Sequence, residues 1–246
     1  MFIQPLWPAP AEIRAYTSLR AGGCSQAPYD QFNLAYHVED QKEHVAANRE
    51  KLRKALQLPH EPLWLNQVHG TTALPVLPEN LNKDADSSFT HQTNQVCAIM
   101  TADCLPLLLC QPQGSAIAAI HAGWRGLAQG VIENTLAALK VNNSELLAWL
   151  GPAIGPKHFE VGEEVYASFL AKNPENKAAF VRAKANTWLA DIYELARILL
   201  RAFGVSAIYG GEYCTFSQKQ LFFSHRRDQG KTGRMVTLIW RENEGP

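Results

Sequence analysis

The chain has 246 residues, and its content of 46% hydrophobic and 19% charged residues is typical of a soluble globular protein. Its 23 basic and 23 acidic residues balance, so no overall positive charge favours binding to nucleic acid or to an anionic membrane. The sequence contains no run of 18 apolar residues, so no membrane-spanning segment is predicted. Its first residues lack the charged and apolar regions of a signal peptide.

Strand and helix patterns alternate in the first part of the chain, which favours an α/β fold. Short apolar segments in this part predict strands. A charged segment whose apolar residues recur at helical spacing predicts a helix, which ends before Pro59. The segment at residues 84–88 carries two acidic residues but lacks the glycine and terminal glutamate of a calcium loop, so we interpret it as a surface loop. The predicted strands cover residues 13–19, 63–68 and 72–77, and the predicted helix covers residues 40–58.

Two short apolar runs, residues 105–110 and 116–120, flank a Pro-Gln-Gly turn in the middle of the chain. Runs of this length bounded by proline and glycine predict buried strands, and the short turn predicts an antiparallel hairpin. Cys104 precedes the first run and His121 follows the second. Because the open ends of such a hairpin lie side by side, we expect this thiol and this imidazole to be neighbours.

The second half of the chain again alternates between predicted helices and strands. A helix that opens at Gly123 would place Arg125 near its N-terminus, where free N–H groups make a candidate phosphate or oxyanion site. Asp191 is predicted to cap a later helix that Gly204 ends. The predicted helices cover residues 123–140, 162–171 and 191–203, and the predicted strands cover residues 146–150, 187–190, 205–209 and 235–240.

The whole chain is predicted to form one domain over residues 1–246, because no internal repeat, low-complexity linker or composition change marks a boundary. Its five cysteines are an odd number without dense spacing, which favours a reducing compartment over a disulfide-linked fold. We therefore expect a cytoplasmic protein.

His69, Cys104 and His121 would together supply two nitrogens and one sulfur, which are ligand types that zinc favours. A catalytic zinc keeps an open position in which its bound water becomes acidic enough to attack an electrophilic carbon. Asp103, next to Cys104, would orient a ligand or move a proton.

Two other interpretations of the same residues remain open. Cys104 would simply be a small buried apolar residue if the site were structural. Alternatively, Cys104 would be the nucleophile of a hydrolase, with His121 as its base and Asp103 or Asn66 as the orienting group. The signatures of zinc base deaminases, serine hydrolases, P-loop enzymes and H-E-x-x-H metalloproteases are absent from the sequence.

Several motifs closely resemble those of the YfiH family: N-Q-V-H-G at 66–70, T-A-D-C-L-P-L-L-L at 101–109, H-A-G-W-R-G at 121–126 and F-F-S-H-R-R-D at 222–228. Members of this family are known as laccase-domain proteins, polyphenol oxidases, purine nucleoside phosphorylases and peptidoglycan editing factors. The resemblance implies a single-domain three-layer α/β/α sandwich with a mixed β-sheet.

The resemblance also implies zinc bound by His69, Cys104 and His121. Copper would be a substitute at such a site, because Cu²⁺ binds it more strongly than Zn²⁺. It implies phosphorolysis of adenosine, inosine, guanosine and S-methylthioadenosine, together with deamination of adenosine. The expected partners are a nucleoside and phosphate, and the expected state is a monomer or a small homo-oligomer. Asp103 joins Cys104 and His121 in our predicted catalytic set.

The substrate contacts are a separate hypothesis, based on the affinity of guanidinium groups for phosphate. The predicted phosphate ligands are Arg20, Arg125 and Arg234. Asn33 and His37 are predicted to contact the ribose or the base.

Three alternative functions remain. A peptidoglycan-precursor amide hydrolase would use the same Cys/His site, and the resemblance implies a fold similar to the deamidase domain of cytotoxic necrotising factors. A multicopper oxidase is disfavoured, since the chain has eight histidines and no H-x-H pair, although copper at a single site would support weak oxidation. A binding protein without catalytic activity is the third.

Overall fold

The two apolar runs form the predicted antiparallel hairpin in the computed structural model, which describes residues 1–243. Leu105 pairs with Ala122, and Pro106 pairs with His121. Every residue of both strands is buried. Because both faces of the hairpin are covered by other layers, its strands are continuously apolar rather than alternating.

The strands have the following bounds within the described residues: β1 Phe2–Ile3, β2 Ile13–Ser18, β3 Ala73–Pro75, β4 Ser87–Thr90, β5 Cys97–Thr101, β6 Leu105–Cys110, β7 Ile117–Ala122, β8 Leu147–Leu150, β9 Glu160–Gly162, β10 Phe180–Lys184, β11 Thr187–Ala190, β12 Ala207–Gly210 and β13 Met235–Arg241.

The strands form three sheets, two of which pack face to face. The larger sheet has the order β12-β8-β6-β7-β4-β3 and is mixed, since β12 and β3 run parallel to their neighbours. The second sheet has the order β1-β2-β13-β5 and is antiparallel. Leu108 and Trp149 from the first sheet meet Ile99 and Ile239 from the second in one apolar cluster. A small sheet, β10-β11-β9, completes the set.

Helices cover the outer faces of this pair of sheets. Their bounds are α1 Lys42–Leu56, α2 Trp124–Gln129, α3 Val131–Leu139, α4 Glu163–Lys172 and α5 Ile192–Ala202. The helix α1 packs Leu52 against the second sheet, while α2 to α5 pack against the larger sheet. The predicted α/β sandwich with a mixed sheet is therefore confirmed, and its β layer is double.

Most predicted elements are present, and two differ from the prediction. Asp191 caps α5 by accepting hydrogen bonds from the backbone of Tyr193 and Glu194, as predicted. The predicted helix over residues 123–140 is broken at Gly130, whose φ of +111° lies outside the helical region. The segment at 63–68 is not a strand but makes isolated bridges.

None of the helices in the described part of the chain has the length and apolarity needed to span a lipid bilayer. The prediction of one domain over residues 1–246 extends to residues 244–246, which lie outside the described residues.

Candidate functional site

The fold brings His69, Cys104 and His121 together at the open end of the central hairpin. Their ligand atoms all lie within 4.8 Å of one another, and Cys104 Sγ is 3.8 Å from His69 Nε2. The hairpin positions Cys104 and His121, because Cys104 directly precedes β6 and His121 is the penultimate residue of β7. His69 comes from a separate segment, so its approach depends on long-range contacts.

A buried carboxylate, Asp86, fixes both imidazole-bearing segments. Its Oδ1 accepts a hydrogen bond of 2.7 Å from His121 Nδ1 and another of 2.9 Å from the His69 backbone N–H. Its Oδ2 accepts from the backbone N–H groups of Gly70 and Val68, at 2.6 and 3.2 Å. Since Nδ1 of His121 is occupied by Asp86, Nε2 is the nitrogen available to a ligand.

The interpretation of residues 84–88 as a surface loop was wrong for all but Asp84, because residues 85–88 are fully buried, Asp86 among them, and the last two belong to β4. The next residue, Ser87, begins β4 and pairs with Ile120 of β7, which places Asp86 opposite His121. The His121 backbone N–H also donates to the Asp86 carbonyl, at 2.7 Å. No periodicity in the sequence indicates this pairing, because β4 and β7 are far apart along the chain.

Gln67 holds the segment before His69 against the second sheet. Its side-chain amide donates to the Met100 carbonyl at 2.8 Å, and its side-chain oxygen accepts from the Met100 N–H at 2.7 Å. This pair of hydrogen bonds replaces the ladder that a regular strand would provide. His69 is therefore presented by a fixed turn, with a φ of +59°, although no strand precedes it.

Close packing between the ligands requires a glycine at position 123. A Cβ atom there would lie 3.0 Å from His69 Cδ2 and 3.1 Å from Cys104 Sγ, closer than ordinary contacts allow. The absence of a side chain at Gly123 therefore lets the two ligands approach one another.

The electrostatics of Cys104 and His121 favour a thiolate next to an imidazolium. Burial alone would raise the pKa of Cys104, but the charge of His121 and hydrogen bonds from both imidazoles lower it from 9.0 to about 6. Burial alone would lower the pKa of His121, but the negative charge of Cys104 and the hydrogen bond to Asp86 raise it to about 9. A thiolate of this kind is both a nucleophile and a metal ligand.

The three donors fit a divalent metal ion. One thiolate and two imidazole nitrogens form a three-ligand set that leaves room for a fourth ligand, as catalytic zinc sites do. Within residues 1–243, these residues are the one group of three or more metal-ligating side chains so arranged. The described chain therefore offers a single metal position rather than a multinuclear cluster.

A cavity of about 410 Å³ adjoins the three donors, a size suited to a small organic ligand. Trp124 and Phe159 contribute aromatic surface to its wall. The lining of the cavity is strongly basic. It includes Arg125, Arg226 and Arg234, whereas Asp103 is its single carboxylate among the described residues.

The predicted substrate residues separate into two groups. His37, Arg125 and Arg234 line the cavity. Arg20 lies in a different depression and forms an ion pair with Asp30 at 3.1 Å.

Asn33 is fully buried and does not line the cavity, and its side chain bonds to neighbouring backbone and to Asp40. Its Oδ1 also accepts the backbone N–H of Arg234, at 3.0 Å. Asn33 thus shapes the chain that carries Arg234, and no part of it reaches the cavity.

Asp103 precedes the thiol but directs its carboxylate towards two loops near the C-terminal end. Its oxygens accept hydrogen bonds from Thr215 Oγ1 at 2.5 Å, Ser224 Oγ at 3.0 Å and the Arg226 backbone N–H at 2.7 Å. The side chain is therefore engaged in positioning the cavity wall. Sequence reasoning did not select Arg226, and its place in the F-F-S-H-R-R-D motif was the available signal.

Comparisons with known proteins show which family this chain belongs to. A family model described as "Multi-copper polyphenol oxidoreductase laccase" matches residues 14–242. The chain is 48% identical to the Escherichia coli protein named purine nucleoside phosphorylase YfiH, over 97% of this chain and 98% of that protein. It is 49% identical to a purine nucleoside phosphorylase of Pseudomonas aeruginosa, over 98% of this chain and 99% of that protein. A crystal structure of a Neisseria meningitidis protein has a TM-score of 0.95 at 46% identity, covering 98% of this chain and 99% of that one.

Proposed function

Because the chain belongs to the YfiH family, we propose that it is a zinc-dependent purine nucleoside phosphorylase. The main support for the proposal is that the His-Cys-His donor set lines a basic cavity large enough for a nucleoside. The names of its relatives supply the substrate class, and the arginines supply positive charge for the phosphate that phosphorolysis consumes.

His69, Cys104 and His121 would hold the metal ion. When bound, zinc supplies a Lewis acid and lowers the pKa of a coordinated water. Copper is expected to replace zinc at this site, since Cu²⁺ binds nitrogen and sulfur donors more strongly. Asp86 keeps His121 oriented so that its Nε2 faces the other donors.

The nucleoside would occupy the cavity beside these donors. Trp124 and Phe159 offer apolar faces for a purine ring, and His37 lies at the wall where it would contact the ribose or the base. The proposed substrates are adenosine, inosine, guanosine and S-methylthioadenosine for phosphorolysis, and adenosine for deamination. The excess of arginine would attract the phosphate that phosphorolysis consumes.

One assay tests this proposal. Purified protein is incubated with adenosine, with and without phosphate, and the products are separated while the metal content is measured. We expect adenine when phosphate is present, inosine from deamination, and about one zinc per chain.

Cys104→Ala should lose the metal and both activities, because one of three metal ligands is removed. Cys24→Ala is the matched control, since Cys24 is an exposed cysteine outside the donor set. A metal-free Cys104→Ala protein with full activity would refute the mechanism.

A second candidate function is favoured by one observation. The Cys104 thiolate lies next to the His121 imidazole, and the Asp86 carboxylate orients that imidazole from its other side. Cysteine hydrolases use this arrangement. Asp86 takes the orienting role for which Asp103 and Asn66 were considered. An amide hydrolase acting on peptidoglycan precursors would give no product from adenosine and would cleave an amide without added metal.

A further inference from the structure

The cavity contains more positive charge than its own residues neutralise. Arg125, Arg226 and Arg234 line it, and none of them lies within 4.0 Å of a carboxylate oxygen in the described part of the chain. The one lining carboxylate, Asp103, is 8% exposed and already accepts three hydrogen bonds. Arg234 is half-buried, whereas Arg125 and Arg226 are exposed at the edge of the cavity. Guanidinium groups that line one cavity without an acidic partner favour a bound anion.

Arg226 is fixed at its backbone and at one side of its guanidinium. Its backbone N–H donates to Asp103 Oδ2, and its Nη1 donates to the Glu160 carbonyl at 2.9 Å. Its Cζ lies 5.9 Å from the centre of the Phe159 ring. Nε and Nη2 make no hydrogen bond to any residue within 1–243, so one edge of the group is free for an oxyanion.

Arg234 repeats this arrangement from a different segment, just before β13. Its backbone N–H donates to Asn33 Oδ1, and its Nη1 donates to the carbonyls of Thr232 and Gly233 at 2.8 and 3.1 Å. Its Nε and Nη2 are likewise without an acceptor among the described residues. Burial lowers the pKa of Arg234, and the negative charges of Cys104 and Asp103 oppose that effect, which indicates that Arg234 lies within electrostatic reach of the thiol.

We propose that Arg226 and Arg234 form a clamp for inorganic phosphate beside the metal-binding residues. Each guanidinium is anchored to backbone carbonyls through Nη1 and offers its Nε–Nη2 edge, which matches two phosphate oxygens. Arg125 stacks on Trp124, with its Cζ 4.5 Å from the ring centre, and contributes charge at the rim. The Arg20 site is separate and takes no part.

The clamp rests on the proposed function, because phosphate is the co-substrate of phosphorolysis. In that reaction a phosphate oxygen forms a bond to C1′ of the ribose while the bond from C1′ to the base nitrogen breaks. The base nitrogen keeps the electron pair and takes the proton of hydrogen phosphate, which leaves free base and ribose 1-phosphate. Deamination of adenosine uses no phosphate, so the two reactions report on the clamp differently.

The test compares Arg226→Gln and Arg234→Gln with the wild-type protein. Each substitution removes charge-assisted hydrogen bonds to phosphate, so we expect the KM for phosphate to rise about tenfold or more. At a fixed phosphate concentration well below the wild-type KM, the ratio of adenine to inosine formed from adenosine should fall by a similar factor. Arg226→Lys keeps the charge but loses the planar fork, so it should be intermediate. Arg201→Gln, at an exposed arginine of α5, is the matched control.

Binding of inorganic phosphate, measured by calorimetry on the zinc-loaded protein, separates the clamp from the proposed function. Phosphate binding that both glutamine variants weaken would support the clamp even if wild-type protein forms no adenine, a result that would overturn only the phosphorylase proposal. The clamp is overturned if wild-type protein binds no phosphate. It is also overturned if folded, zinc-loaded variants keep the wild-type phosphate KM and affinity.

Discussion

Replacing Asp86 by asparagine is expected to weaken metal binding without removing any metal ligand. The carboxylate accepts four hydrogen bonds, two at each oxygen, from His121 Nδ1 and from the backbone N–H groups of His69, Gly70 and Val68. Asparagine has nearly the same shape but replaces one oxygen by an NH₂ group. Two of the four donors would therefore face another donor, whichever way the amide is turned.

The size of the effect follows from these four bonds. Leaving a buried donor without an acceptor costs about 1–3 kcal/mol, so two such donors cost about 2–6 kcal/mol. The metal-free variant should therefore be clearly less stable than the wild-type protein, since typical stabilities are about 5–15 kcal/mol. Loss of an outer partner of a metal-bound histidine commonly reduces metal affinity by about 10–100-fold. That factor corresponds to about 1.4–2.8 kcal/mol of binding free energy.

The measurement is competition for zinc between the protein and a chromophoric chelator, with unfolding of the metal-free protein followed separately. Asp84→Asn is the matched control, because Asp84 lies two residues earlier and its carboxylate accepts, among residues 1–243, one hydrogen bond, from the exposed Asn66 side chain at 2.6 Å. We expect the control to bind zinc like the wild type. A folded Asp86→Asn protein with wild-type zinc affinity would refute the role given to this carboxylate.

Three further predictions concern the thiol, the glycine beside it and the core. In metal-free protein, the rate of alkylation of Cys104 by iodoacetamide should increase with pH around a midpoint of about 6, because the adjacent imidazolium stabilises the thiolate above that pH. Bound zinc should protect the thiol from alkylation. A midpoint of 9.0 would contradict this account. Gly123→Ala should lower zinc affinity, because its Cβ would lie 3.1 Å from Cys104 Sγ. An affinity equal to that of the wild-type protein in chelator competition would disprove the steric requirement. Leu108 lies between the two large sheets, so Leu108→Ala should reduce the free energy of unfolding in urea by about 2–5 kcal/mol. Val181→Ala, at an exposed position, should reduce it by about 0.5 kcal/mol or less. Equal reductions in the two variants would contradict the placement of this core.

Local features of the sequence were sufficient to predict the central hairpin and the helix that Asp191 caps. Both depend on residues close together along the chain: a short turn between two apolar runs, and a side chain that bonds to the N–H groups two and three residues ahead. The same locality explains why Cys104 and His121 were expected to be neighbours. His69 entered the predicted donor set by its residue type, and the motif resemblance supported that choice, because its segment has no local pattern that directs it to the hairpin.

Only the tertiary structure decided which distant side chains complete the site. Asp86 contacts His121 across 35 positions of the chain, and Arg226 is anchored to Asp103 across 123. Hydrophobic periodicity indicates which face of an element is buried, but it does not indicate which segments pair. A buried carboxylate such as Asp86 is stable only where donors from other segments reach it, so its burial becomes evident only once those segments are in place.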